Sequence, residues 1–157
     1  MKPSGVRQHQ MIQEVYVLLD DGDRRLLRQF QLNPTQYAVL LLLAEQDGLR
    51  LSDLSGKLLI DKSSTTRLID RLSAIGLVER VADPGDRRVQ RIVLTPKGRA
   101  HLMTVQSAHS ESLTRRWAVL DNTERELLTR LLLKLRRELT ILQHGTEGGA
   151  ATLIEDQ

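Results

Sequence analysis

The chain has 157 residues, a formal net charge of +3 and no cysteine, which excludes disulfides, thiolate zinc sites and cysteine-based redox sensing. No apolar run approaches the ~20 residues that span a bilayer, and the amino terminus lacks the apolar core of a signal peptide, so we expect a cytoplasmic protein without membrane contact. Aromatic residues make up only 3%, too few for the stacking platforms of single-strand binders, so any nucleic-acid partner should be a duplex.

Two helices are predicted at the amino-terminal end. Apolar residues recur at helical spacing over residues 6–30, where Gly22 weakens the helix by roughly 1 kcal/mol relative to alanine and marks a potential bend. Asn33 can cap a second helix over residues 34–46, with Pro34 at its first position and Gln36 reaching back as in a capping box. This second helix is apolar almost all round, which predicts a place in the core.

A helix-turn-helix is predicted next. After a short extended piece at residues 49–51, Ser52 is expected to cap a short helix that runs through residue 59. Asp61 is expected to cap the following helix, which runs to about residue 75 and stops at Gly76. Two short helices with a tight connection are typical of this motif.

The remaining elements are a hairpin and two long helices. Runs rich in β-branched residues at 77–81 and 89–94 flank a turn at Pro84-Gly85. Thr95-Pro96 begins a helix to about residue 120, and a capping box at residues 123–126 opens a last helix through residue 142. From Gly145 the tail is small and polar, and disorder is expected. The long helices hold more leucine than a small core can cover, which favours a symmetric homodimer, although they could pack only on their own chain.

Positive charge is concentrated in one segment. Residues 62–99 contain nine Lys or Arg and four acidic residues, a net +5, which leaves −2 for the rest of the chain. At about 100° per residue, the helix after Asp61 has an apolar side and a polar side. The apolar side comprises Thr65, Leu68, Ile69, Leu72 and Ile75, and the polar side comprises Ser63, Thr66, Arg67, Asp70 and Ala74, flanked by Ser64 and Arg71. Short hydroxyls and arginines suit base edges and phosphates of a major groove; the alternative is a solvated helix face.

The hairpin carries Asp86, Arg87 and Arg88 just past its turn. Arginine side chains at such a tip suit the negative potential of a narrow minor groove, and Asp86 can hold a neighbouring guanidinium. The alternative is an edge hairpin whose charge prevents aggregation.

These segments together resemble the MarR family of winged-helix transcriptional regulators. The resemblance is carried by LNPTQYAVLLLLAE, LSDLSGKL, SSTTRLIDRLSAIGLVERV, DPGDRRVQRIVLTPKG and the two leucine-rich helices at the end, and it covers residues 6–142. The family's wing signature D-x-R-x(5)-L-T is matched by Asp86, Arg88, Leu94 and Thr95.

The resemblance implies a mainly α fold with a small β-hairpin wing, in which a winged helix-turn-helix (33–95) is flanked by a helical dimerisation region (6–32 and 96–142) and flexible termini (1–5 and 143–157). It implies a sequence-specific, ligand-responsive homodimeric repressor that reads a pseudo-palindromic operator in double-stranded DNA. Arg88 would enter the minor groove, with Asp86 orienting it, and a small effector, often phenolic or anionic, would release the DNA. The implied DNA-binding residues are Lys62, Ser63, Ser64, Thr66, Arg67, Arg71, Asp86, Arg87 and Arg88. Which of them contacts a base stays open.

Other functions are disfavoured. No catalytic motif or acid/base cluster is apparent, so we expect neither an enzyme nor a cofactor. His9, His101, His109 and His144 contain no i, i+4 pair, and no metal site is expected. Tyr16, Tyr37 and Trp117 could line an effector pocket, but core packing is the favoured interpretation. A winged helix that serves only protein interaction would be expected to lose its basic wing, whereas arginines are retained here.

Overall fold

A computed structural model describes residues 5–46, 48–86 and 88–146 of the chain. Six helices and three strands lie within these ranges. They are α1 (Val6–Gln29), α2 (Pro34–Glu45), β1 (Leu49–Arg50), α3 (Leu51–Leu58), α4 (Lys62–Ala74), β2 (Val78–Ala82), β3 (Gln90–Leu94), α5 (Pro96–Trp117) and α6 (Asn122–Thr146). The predicted mainly α architecture with a β-hairpin wing is confirmed. Asp47 and Arg87 lie outside the described residues.

The chain divides into two compact units, the first ending at Ser112 and the second beginning at Leu113. The first unit contains the helix-turn-helix, α3 and α4, and a three-stranded antiparallel sheet in the order β1-β3-β2. The extended piece predicted before α3 is therefore a strand of this sheet, because Leu49 pairs with Ile92 of β3. No helix among the described residues is both long and apolar enough to cross a membrane.

The core of the first unit forms around α2. Val39, Leu40 and Leu43 of this helix are buried, as its nearly uniform apolar sequence predicts. The surrounding elements contribute the other buried apolar residues, which are Leu27, Leu32, Leu49, Leu54, Leu68, Ile69, Leu72, Leu77, Val78, Ile92, Leu94, Leu102 and Val105. Every element of the winged region thus has an apolar side against one core.

Three predicted helix starts, at Asn33, Asp61 and Thr95, are confirmed, and two, at Ser52 and Thr123, are wrong. Asn33 and Gln36 form the expected reciprocal capping box, and Asp61 accepts the Ser64 amide at 2.8 Å. Ser52 does not cap α3; the capping position is Arg50, two residues earlier, and the Asp53 carboxylate accepts the amide of Arg50 at 3.2 Å. The correction has a simple cause: α3 follows β1 directly, so Ser52 already lies inside the first turn.

The capping box at the start of α6 lies two residues before its predicted position. The side chains of Asp121 and Glu124 each accept the other residue's backbone amide at 2.9 Å, which satisfies two amides that the helix leaves free. Thr123 and Glu126 are therefore interior to the first turns. At the other end α6 extends to Thr146, so Gly145 is helical rather than part of a disordered tail, and residues 147–157 lie outside the described residues.

Residues at the start of α5 fix the end of α4. The Thr95 hydroxyl donates to the Gly76 carbonyl at 2.7 Å and accepts the Gly98 amide at 2.9 Å, so it caps α5 and holds the turn after α4. Lys97 Nζ donates to the Ile75 carbonyl at 2.7 Å, and Gly76 has φ +75°, as its predicted role as a helix stop requires. Gly98 is packed so closely that a Cβ there would lie 1.9 Å from the Leu77 carbonyl oxygen.

Candidate nucleic-acid interface

Helix α4 has the two sides that its sequence predicts. Thr65, Leu68, Ile69 and Leu72 are buried, while Ile75, at the carboxyl end, is 40% exposed because the helix has ended before it. The predicted contact residues lie on the accessible side: Lys62, Ser63, Arg67 and Arg71 are exposed, and Ser64 and Thr66 are half-buried. The accessible side is therefore polar along the whole helix.

Hydrogen bonds hold the side chains of the first turn of α4 in place. Asp61 Oδ1 accepts from the Ser63 hydroxyl at 2.6 Å as well as from the Ser64 amide, and Arg67 Nη2 lies 3.4 Å from Ser63 Oγ. The hydrogen bond from the Ser63 side chain, followed by those from Ser64, lowers the pKa of Asp61 well below its usual range. Asp61 therefore remains ionised, and three polar side chains at the amino-terminal end of α4 have defined positions.

A buried pair of hydroxyls joins the two helices of the helix-turn-helix. Thr65, which is fully buried, donates to the Asp61 carbonyl at 3.0 Å and accepts from the Ser55 hydroxyl at 3.0 Å. Because each hydroxyl also contacts backbone of its own helix, the pair fixes α4 against α3. This contact could not be predicted from the sequence, since a threonine on the apolar side of a helix gives no signal about its partner.

The wing differs from its prediction at Asp86. The Asp86 carboxylate accepts the backbone amide of Arg88 at 3.0 Å, and the carboxylate that holds a guanidinium is instead Asp83, which Arg91 Nε contacts at 2.5 Å. The reason lies in strand register, which pairs Val81 with Arg91 and so brings Arg91 beside the start of the turn. Arg88 is exposed, and Arg87 lies outside the described residues.

An ion pair joins α4 to the wing. Arg80 Nη2 of β2 contacts Asp70 Oδ1 of α4 at 2.7 Å, and both side chains are partly exposed. Helical spacing predicts Asp70 on the polar side of α4, but it gives no partner for Asp70 and no role for Arg80. The contact brings the polar side of α4 and the first strand of the wing onto one continuous surface.

The aromatic residues considered for an effector pocket lie in different surroundings. Tyr37 is half-buried, packs edge-on against His109 at a ring distance of 5.6 Å, and has a pKa raised by burial and by Asp23. Tyr16 is 64% exposed, which corrects the expectation of core packing, and Trp117 is half-buried within the second unit. Across the described ranges, no three His, Cys, Asp or Glu residues are grouped so as to hold a metal ion.

Comparison with known proteins gives a family. The model of the MarR family matches residues 32–89. The uncharacterized HTH-type transcriptional regulator YsmB of Bacillus subtilis (strain 168) is 34% identical over 128 residues, which are 82% of this chain and 88% of YsmB. The transcriptional repressor MprA of Escherichia coli (strain K12) is 30% identical over 121 residues, 76% of this chain and 69% of MprA.

A solved structure agrees with these relatives. BpsR of Bordetella bronchiseptica, whose DNA binding is regulated by 6-hydroxynicotinic acid, superimposes with a TM-score of 0.68 at 25% identity, over 87% of this chain and 96% of that one. These proteins are regulators of transcription rather than enzymes. The chain belongs to the MarR family of DNA-binding transcriptional regulators.

Proposed function

We propose that the protein is a homodimeric repressor that reads a pseudo-palindromic operator and releases it when a small effector binds. In this proposal residues 33–95 form the DNA-binding domain, with α4 in the major groove and the wing in the minor groove. Residues 6–32 and 96–142 form the dimerisation region. A regulator of this kind acts on chromosomal DNA, and hence in the cytoplasm.

The observation that carries the proposal is the organised polar side of α4. Recognition helices direct residues of their amino-terminal turns at base edges, and in this chain those residues are Ser63, Ser64 and Arg67, which Asp61 organises. Thr66 and Arg71 extend the same side towards the carboxyl end, and Lys62 supplies charge for a phosphate. A helix face that served only solvation would need no such network.

The wing supports the proposal through its charge and its attachment. Arg88 is exposed beyond the turn, with Asp86 fixing its backbone amide, and Arg87 is adjacent in sequence. The Arg80–Asp70 ion pair joins the base of the wing to α4. A duplex whose major groove receives α4 presents a neighbouring minor groove, where arginine is favoured by the negative potential.

Exposed apolar side chains support the homodimer. In α1 they are Val6, Met11, Ile12, Val15, Tyr16, Val17 and Leu18, and in α6 they are Leu127, Leu131, Leu132, Leu133, Leu135, Leu139, Ile141 and Leu142. Apolar surfaces of this extent mark association sites, and identical chains associate most often about a two-fold axis. Two recognition helices related by that axis would read half-sites about one helical turn apart.

Repression and effector response rest on relatives. MprA is a transcriptional repressor, and the DNA binding of BpsR responds to 6-hydroxynicotinic acid. A ligand that favours one spacing of the two recognition helices shifts the population between DNA-binding and released states. A small phenolic or anionic compound is the class to screen.

The test begins with a duplex that the protein itself selects from a randomised pool. Fluorescence anisotropy then compares this duplex with a scrambled one at two salt concentrations. We expect selected sequences with inverted repeats and binding that weakens steeply with salt, because phosphate contacts release counterions. Equal, weak binding to both duplexes would contradict the proposal and favour a protein-interaction module.

Arg88→Ala tests the wing in the same assay. We expect roughly tenfold weaker binding to the selected duplex because an arginine contact in the groove is lost, with an unchanged circular dichroism spectrum. Arg130→Ala removes the same charge from an exposed residue of α6, outside the wing, and serves as the control. Equal losses in the two variants would mean that only net charge matters.

A further inference from the structure

Among the side chains of the wing that the structure describes, Asp83 makes the most hydrogen bonds and ion pairs. It follows β2 directly, and it is only 4% exposed although it is a carboxylate in a short surface hairpin. Its two oxygens divide the contacts between them. Oδ1 accepts the backbone amides of Gly85 at 2.8 Å and of Asp86 at 3.3 Å, whereas Oδ2 accepts from Arg91 Nε at 2.5 Å. One carboxylate therefore binds both the turn of the wing and the strand that leaves it.

The contacts continue from Asp83 to the body of the domain. Arg91 Nη1 donates to the Gly48 carbonyl at 3.2 Å, next to β1, and Arg50 Nη2 lies 3.8 Å from Asp83 Oδ2. Gly48 has φ +82°, and a Cβ at this position would lie 3.2 Å from Arg91 Cδ. The close approach of backbone and guanidinium at this point depends on glycine, and it connects the wing turn to the edge of the sheet.

In the other direction the contacts reach Arg88. The amide that Asp83 holds belongs to Asp86, and the Asp86 carboxylate in turn holds the Arg88 amide at 3.0 Å. Two consecutive aspartate-to-amide hydrogen bonds thus link Asp83 through Asp86 to the backbone amide of Arg88. A side chain that is fixed before binding loses less conformational entropy on binding than one that must be ordered by the DNA.

We propose that Asp83 and Arg91 are positioning residues for DNA binding, which anchor the wing turn to the sheet so that Arg88 is held ready for the minor groove. The inference rests on the proposed role of the wing in DNA binding. It assigns DNA recognition to a buried acid, which by its charge alone would oppose binding to a polyanion.

The charge of Asp83 and its proposed positioning role predict opposite effects on DNA affinity when the charge is removed, so a substitution can distinguish them. Asp83→Asn keeps an oxygen for the Gly85 and Asp86 amides but turns a donor or a weaker acceptor towards Arg91, and it removes one negative charge. Glu79→Gln removes the same charge from an exposed side chain of β2 and is the matched control. On the selected duplex we expect Glu79→Gln to bind as tightly as the native protein or slightly more tightly, and Asp83→Asn to bind roughly three- to tenfold more weakly.

A double-mutant cycle with Arg88→Ala shows whether Asp83 acts through Arg88. If it does, adding Asp83→Asn to Arg88→Ala weakens binding by less than about twofold, because the side chain that it positions is already absent. Arg91→Gln, which leaves the amides of the turn bound to Asp83, should behave in the same way and replaces Asp83→Asn if that variant does not fold. Thermal unfolding of each variant controls for a general loss of structure.

The outcomes distinguish a failure of the proposed role of the wing in DNA binding from a failure of the positioning role of Asp83 and Arg91. If Arg88→Ala does not weaken binding, the proposed role of the wing fails, and the inference fails with it. If Arg88→Ala weakens binding but the losses from Asp83→Asn and Arg91→Gln are fully additive with it, or are absent, the wing contact stands and the positioning role is overturned.

Discussion

The winged region buries many of its apolar side chains, whereas α6 leaves most of its apolar side chains exposed. Helix α4 buries four side chains within 13 residues, against a core to which α2, α3 and the sheet contribute. In α6, by contrast, none of the side chains described at positions 122–142 is buried, although eight of them are leucines. The winged region therefore has an apolar core within one chain, whereas the exposed leucines of α6 support the proposed dimer.

Charge in α6 should therefore have the largest effect on association. A glutamate at Leu131 or at Leu135 would enter an apolar seam and carry a large desolvation cost. We expect Leu131→Glu to reduce the light-scattering mass from two chains to one. Operator affinity should fall by roughly 100-fold or more, because two linked half-site contacts become one. Lys134→Glu introduces the same charge at an exposed polar position of α6 and should remain a dimer; a dimeric Leu131→Glu would place the interface elsewhere.

Two glycines, one in α3 of the winged region and one at the start of α5 that packs against it, allow the stability of the first unit to be lowered or raised. A Cβ at Gly98 would lie 1.9 Å from the backbone oxygen of Leu77, whereas a Cβ at Gly56, in α3, would meet nothing within 4 Å. Gly98→Ala should lower the free energy of unfolding by about 2 kcal/mol or more through overpacking. Gly56→Ala should raise it by roughly 0.5–1 kcal/mol, because alanine favours the helix. Urea unfolding measures both, and equal effects would mean that the backbone near Leu77 relaxes freely.

The same contrast explains how much of the fold could be predicted. Helix positions follow from local signals that one residue or one turn carries, such as the Asn33 box, the Asp61 cap and the glycine stop at Gly76, and these were confirmed. The errors at Ser52 and Thr123 arose where two capping sequences overlap within two residues. In both cases the helix begins where an acid three residues beyond the capping residue, Asp53 or Glu124, accepts that residue's backbone amide. The capping propensities of residues alone do not decide between two candidate capping positions that lie so close together.

The accessible side of the candidate site could be predicted from the sequence, but the hydrogen bonds and ion pairs between its residues could not. Periodicity identified which side of α4 is accessible, because burial follows helical spacing. The partners of Asp83, Asp70 and Thr65 depend on strand register and on the packing of α3 against α4, which bring together residues 8–10 positions apart. An Asp-Pro-Gly run does indicate an aspartate that binds turn amides, and this signal at Asp83 was available in the sequence.

A smaller effect is expected at the buried hydroxyl pair of the winged region. Thr65→Val keeps the shape of the side chain but removes the buried hydroxyl that joins Ser55 to the Asp61 carbonyl, so that Ser55 can donate only to the Leu51 carbonyl of its own helix, and the lost contact should cost about 1 kcal/mol of unfolding free energy. Thr104→Val, in α5, removes an exposed hydroxyl that donates to the carbonyl one turn before it, and should change stability little. Thr65→Ser should retain most of the contact. If Thr65→Val and Thr104→Val had equal effects, the pair would not stabilise the packing of α3 and α4.

The smallest expected effect is a pH dependence at Asp61, on the exposed surface of the same region. The Ser63 hydroxyl and Ser64 hold the pKa of Asp61 below its usual range, so folding favours the ionised carboxylate. The contribution to stability is then present above the unfolded pKa of about 3.9 and is lost as the pH falls through the lower folded pKa.

The variant Asp61→Ser tests this pH dependence, because it keeps a capping oxygen that does not titrate. We expect the native protein to exceed this variant in stability more at pH 7 than at pH 3. Asp83, whose pKa is also lowered, chiefly by Arg91, is common to both proteins and cancels in the difference. Ser63→Ala removes the largest cause of the lowered pKa of Asp61, so it should reduce the change in this stability difference between pH 7 and pH 3. If the stability difference between the native protein and Asp61→Ser did not depend on pH, the cap would act without its charge.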